Sequence, residues 1–128
     1  MTSLLTKEQL LAKCERRYKD FAIPGGGKVR IRSLKSAEIA GWQASLLDPK
    51  TGEPCIKRQK TARERLVAVS VVDENGVPIF GKDDLEALNG LDNAVIGKIA
   101  AEVTEFNGID TEYLEETVGN SNGTPDGT

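Results

Sequence analysis

Leu91, Val95, Ile99, Val103 and Phe106 recur at intervals of three and four residues, and the series stops just before Gly108. That spacing puts apolar groups on one face of a helix over residues 91–107, with a glycine placed to close its C-terminus. A helix with one apolar face is not stable alone; the rest of the chain must cover it. The 128 residues suffice for one domain around one modest core. With one Trp, two Tyr and three Phe, that core must rest mainly on Leu, Ile, Val and Ala.

Upstream, the covering elements can be read in order. Leu4–Arg17 predicts a short helix with Thr6 as N-cap and Leu10, Leu11 and Cys14 as a narrow apolar stripe. Tyr18–Ser33 predicts a β-hairpin. Val29 and Ile31 alternate with Lys28, Arg30 and Arg32, and Pro24 with Gly25–Gly27 supplies the turn. Ser36 is placed to cap a helix running to about Leu47, with Glu38 in its first turn and Ile39, Trp42 and Leu46 on one side. Asp48–Pro54 breaks the chain. Residues 57–72 are expected to be helical through Ala62, Leu66, Val69 and Val72. The β-branched run LVAVSVV keeps a strand open for residues 66–72. Asp73–Gly76 is a tight turn, Val77–Phe80 an extended link able to pair with the hairpin, and Lys82–Leu88 a short helix ending near Asn89-Gly90. The fold class expected is α+β and predominantly α-helical: a small helical domain over residues 1–114 with an N-terminal β-hairpin. Residues 115–128 are expected to be a flexible, disordered C-terminal tail.

The residues are poor in chemistry. The sequence has no histidine, so a Ser or Cys nucleophile would need an unusual base. Pro24–Lys28 lacks the spacing of a phosphate loop, and Val29 stands where the Mg²⁺-binding hydroxyl belongs. Asp73–Gly76 is not a calcium loop, because its glycine falls two residues early and Pro78 holds the proper place. Asp83, Asp84 and Glu86 open a helix, where acids are favoured by the dipole alone. No catalytic residue, metal or cofactor is expected, and the chain reads as a binding protein and not an enzyme. Cys14 and Cys55 stand far apart, as reduced thiols do. No apolar run approaches the roughly 18 residues of a membrane span, and the N-terminus lacks the pattern of a signal peptide. The expectation is a cytoplasmic protein.

Charge is unevenly spread. Residues 1–65 carry 15 Lys and Arg against 7 Asp and Glu, whereas residues 66–128 carry 2 against 13. Two basic groups stand out: Lys28, Arg30, Arg32 and Lys35, then Lys57, Arg58, Lys60, Arg63 and Arg65. Together they make a small basic-patch nucleic-acid-binding regulator the alternative reading. The low pI and the lack of aromatics among the cations argue against it.

Taken in order, hairpin IPGGGKVRIRSL, helix start SAEIAGWQ, polar break and final helix closing on FNGI, the chain resembles the tail assembly chaperones of long-tailed bacteriophages over about residues 20–109. The most specific part is Val72-Asp73-Glu74-Asn75-Gly76, then Ile79-Phe80, Asp83-Asp84-Leu85 and Asn107-Gly108-Ile109. These residues are similar to a family layout of turns, caps and core positions, none of them catalytic.

The resemblance implies a chaperone that binds the tape measure protein and keeps it soluble until tail tube subunits polymerise around it. It further implies self-association, contact with tail tube protein through a longer frameshifted form, residence in the bacterial host cytoplasm and absence from the mature virion. A structural tail or connector adaptor is a further alternative. Long amphipathic helices expose apolar stripes that a groove can cover. Ile39, Trp42 and Phe80 are the candidate partner-binding residues, because interfaces favour large apolar anchors; for Trp42, core packing is the competing role.

Overall fold

Three successive glycines turn the first hairpin: Gly25, Gly26 and Gly27 have φ of 91°, 101° and 91°, a region closed to most side chains. In the computed structural model, which describes residues 3–109, this turn joins β1 (Tyr18–Ala22) to β2 (Lys28–Arg32). The strands are antiparallel, with Phe21 opposite Val29 and Lys19 opposite Ile31. A two-residue strand β3 (Val71–Val72) lies antiparallel on the other edge of β2, with Val71 opposite Ile31, giving the order β1-β2-β3. Phe21, Ile31 and Val71 turn inward and are buried. On the outer face Arg30 crosses to Asp20 through two hydrogen bonds of 2.6 and 2.9 Å.

Among the described residues the sheet is accompanied by six helices: α1 (Lys7–Leu11), α2 (Ser36–Ala44), α3 (Ile56–Gln59), α4 (Ala62–Ser70), α5 (Leu85–Asn89) and α6 (Asn93–Asn107). A 3₁₀ turn, Lys82–Asp84, leads into α5. The fold is α+β and mostly helical, with the N-terminal hairpin where the sequence places it. Its core joins Ile31 of the sheet to Trp42 and Leu46, Leu66 and Val67, Leu88, and Ile96, Ile99 and Val103. Helix α4 packs most heavily against α6.

Four local expectations need correction. The first helix is five residues long instead of running from Leu4 to Arg17. Thr6 caps it as expected, its hydroxyl accepting from the Gln9 N–H while Gln9 Oε1 accepts from the Thr6 N–H. None of its residues is buried, and Leu10 and Leu11 remain exposed. With no tertiary surface to bury, the capped turn has nothing to propagate it.

At α2 the cap shifts by one residue. Lys35 is the N-cap, Ser36 is the first helical residue, and the Glu38 carboxylate accepts from the Lys35 N–H at 2.8 Å. A carboxylate at this position satisfies a donor that a serine side chain would otherwise have to reach.

The segment 57–72 is divided. Helix breaks at Lys60–Thr61, where the Thr61 hydroxyl donates to the Arg58 carbonyl at 2.8 Å. It ends again at Ser70, and Val71–Val72 become β3. Pairing with the open edge of β2 replaces the helical hydrogen bonds, and the β-branched side chains are less hindered in an extended strand than in a helix. Arg32 Nε satisfies the Val69 carbonyl left by the end of the helix, at 2.9 Å. The link beyond the Asp73–Gly76 turn pairs with β3 and not with the hairpin, through a bridge between Val72 and Pro78.

Finally, α6 is rotated from the predicted face. Asp92 caps it, accepting from the Ala94 N–H at 2.8 Å, so Leu91 falls outside the helix and is 42% exposed. Ile96, Ile99, Ala100, Val103 and Thr104 are the buried residues, while Val95 and Phe106 are half-buried. Gly108 closes the helix with φ 65°, as its position predicts. The predicted domain limit at residue 114 and the tail 115–128 lie outside the described residues.

Candidate protein-binding groove

Positions 38, 41, 42 and 45 of a helix fall on one face. On α2 they hold Glu38, Gly41, Trp42 and Ser45, which form one wall of an open groove of about 740 Å³. Opposite stand Arg65, Ala68 and Val69 of α4, and the third side is Phe80, Gly81, Lys82 and Leu85. A smaller recess of about 370 Å³ shares Arg58, Arg65 and Leu85 and reaches Cys55 and Asn89.

Of the three residues proposed from sequence, Trp42 and Phe80 line the groove and Ile39 does not. Ile39 is half-buried and packs against the core. Trp42 is only 2% exposed, and its Nε1–H donates to the Ala62 carbonyl at 2.9 Å. It ties α2 to the start of α4 and floors the groove, so its packing role and its place at the site are the same contact. Phe80 is half-buried. The other groove residues, Gly41, Arg58, Arg65 and Leu85 among them, were not proposed as partner-binding. Gly41 carried the one signal that was visible: a glycine inside a helix costs about 1 kcal/mol relative to alanine.

The electrostatics divide into a satisfied end and an unsatisfied one. Glu38 receives Arg16 in a bidentate pair at 2.5 and 2.9 Å, with Arg32 at 3.5 Å. The Arg16 hydrogen bonds, helped by the Lys35 N–H and by Arg32, hold its carboxyl down at about 2. Arg58 reaches only the Ser45 carbonyl, at 3.2 Å, and Arg65 Nε the Thr61 hydroxyl, at 2.9 Å. Neither makes an ion pair among the described residues. Burial, and then the neighbouring Arg58, push the Arg65 guanidinium below its ordinary value. The groove is thus apolar at its floor and cationic at one end.

The basic groups read from sequence are distributed very differently. Arg30 is paired with Asp20, Arg32 with Glu38, and Arg63 reaches Asn93 at 2.9 Å. Lys19 on the sheet bridges to Glu102 on α6 at 2.7 Å, so the basic half of the chain partly neutralises the acidic half within one molecule. Asp84 accepts from the Gly81 N–H at 2.6 Å, the capping role expected of the acids there. Among the described residues no group of three or more His, Cys, Asp or Glu is placed to hold a metal, and no helix is long and apolar enough to cross a membrane. The Ser45 hydroxyl in the groove donates to the Trp42 carbonyl at 2.6 Å.

By sequence, no family model matches the chain, and no curated protein matches it. By structure, the chain is similar to the tail assembly chaperone of bacteriophage HK97, with a TM-score of 0.52 at 19% identity, over 70% of this chain and 84% of that one. At this identity the likeness is one of fold.

Proposed function

We propose that this protein is a phage tail assembly chaperone, which binds the tape measure protein and keeps it soluble until tail tube subunits polymerise around it. The observation that carries the reading is an open groove, floored by Trp42 and Phe80, on a fold similar to that of the HK97 chaperone. A long helical partner exposes apolar stripes, and covering them with small subunits prevents its aggregation. No nucleotide is required, because tube subunits competing for the same stripes release the chaperone. On this reading the protein acts in the host cytoplasm, self-associates along its partner, meets tail tube protein through a frameshifted form and is absent from the finished virion.

Co-expression with the tape measure protein of the same phage tests it. The expected result is a soluble tape measure protein that co-purifies with the chaperone. A tape measure protein that stays in the pellet at every expression ratio overturns the reading. Mass spectrometry of purified particles separates the connector alternative, which predicts the chain in the virion.

A further inference from the structure

Two glycines interrupt the long helices, and they have different surroundings. A Cβ built on Gly97 of α6 meets Arg63 Nη1 at 3.6 Å, so a neighbour from this chain already occupies that side. A Cβ built on Gly41 meets nothing within 4 Å. Gly41 therefore sits in the groove wall, at a cost in helix stability, with no contact inside this molecule that needs the missing side chain. A bare backbone at that point allows close approach by something outside the chain.

Charge narrows what that something is. The one carboxylate lining the main groove, Glu38, is held by Arg16 and Arg32. Arg58 of α3 and Arg65 of α4 both line the groove and meet only neutral oxygens. Their repulsion is relieved by a carboxylate placed between them. The groove is lined by α2, α3, α4 and α5, the 80–82 segment and Arg32 of β2, whose two edges are already taken by β1 and β3, so an extended peptide would find no free strand edge there. A helix brings its own backbone hydrogen bonds.

We propose that the groove receives one amphipathic α-helix of a partner, crossing α2 closely at Gly41, with apolar side chains over Trp42, Phe80 and Leu85 and acidic residues beside them facing Arg58 and Arg65. This deepens the chaperone reading by stating which segments of the tape measure protein are gripped: helical stretches whose apolar stripe is flanked by Asp or Glu.

The test uses the full chain and two synthetic helices of about 20 residues, long enough for helix to persist in water. Both carry leucine at i, i+3, i+4 and i+7; one is flanked by glutamates and its twin by lysines. Binding is read by calorimetry and by the fluorescence of Trp42, the sole tryptophan. The glutamate helix is expected to bind about tenfold tighter than its twin, and Arg58→Gln with Arg65→Gln to abolish the difference. Gly41→Leu is expected to weaken the glutamate helix by about tenfold or more while the circular dichroism spectrum stays native, because the new side chain enters open space. Equal or tighter binding of the lysine helix overturns the proposal, and so does undiminished binding by folded Gly41→Leu. If Gly41→Leu instead dissolves a self-association of the wild-type chain and leaves peptide affinity intact, the occupant is a second copy and the proposal falls. Tape measure solubility is scored separately. A soluble tape measure protein with the Gly41→Leu variant sinks the groove assignment alone, whereas peptide binding with an insoluble tape measure protein sinks the chaperone reading alone.

Discussion

Helix α4 has a closed side and an open side. Toward α6 it meets Ile96, Ile99 and Val103, and the buried residues of both helices share one aliphatic core. Toward α2 it meets Trp42 at its first turn and then parts from it, leaving the groove bounded by Arg65, Ala68 and Val69. Cations near the closed side have partners, as Lys19 and Lys98 have in Glu102. Arg58 and Arg65 on the open side make no ion pair among the described residues. One face of the helix is covered by its own chain, and the other lines an open groove.

That contrast can be broken by measurement, beginning with the largest effect. Leu66→Ala removes a fully buried side chain from the core and is expected to cost about 2–5 kcal/mol in urea unfolding. A loss below about 1 kcal/mol would mean that the core is loosely packed and the contrast of the two sides false.

Next is the ion cluster at the groove's satisfied end. The folded carboxyl of Glu38 titrates at about 2, below its ordinary 4.5, so its charged form favours the fold. Its contribution is complete above pH 4.5 and is lost as pH falls toward 2. With screening by the partly open surface it amounts to about 1.5 kcal/mol. The stability gap between wild type and Glu38→Gln should therefore close over that window in acid unfolding curves. A constant gap from pH 6 to pH 2 would remove the pairing with Arg16 as its source.

Smaller effects address the open side. Gly41→Ala is expected to raise stability by about 0.5–1 kcal/mol, since the methyl meets nothing and helix propensity improves. A loss on thermal unfolding would show that the space is filled. Smallest of all, Arg58→Gln with Arg65→Gln should change stability by no more than about 0.5 kcal/mol, because neither side chain closes an ion pair among the described residues. A fall of several degrees in Tm would make these arginines structural.

Much of the architecture was legible because it depends on neighbours in sequence. The glycine run of the hairpin, Thr6 at the head of α1, the Asp73–Gly76 turn and Gly108 at the end of α6 are each set by two to five consecutive residues. The errors fall where a distant element intervened. Val71 and Val72 satisfied either helix or strand until the edge of β2 supplied a partner. The spacing of α6 allowed two overlapping faces, and the Asp92 cap with the position of α4 selected the one through Ile96 and Ala100.

The site was less legible than the fold. Trp42 and Phe80 could be named because aromatic residues are few in this chain, but Ile39, named with them as a large apolar residue, lies outside the groove. Among nine cations in the two basic groups, nothing in their spacing distinguished Arg58 and Arg65 from Arg30 and Arg32, which are paired internally.

The amino-acid order alone determined the local geometry, the aliphatic character of the core and the poverty in catalytic chemistry, because turns, caps and periodicity act over a few residues. Only the tertiary structure decided which charges are neutralised, which glycine has no neighbour and where α2 and α4 diverge. Those properties are distances between residues far apart in the chain, and no local pattern encodes a distance.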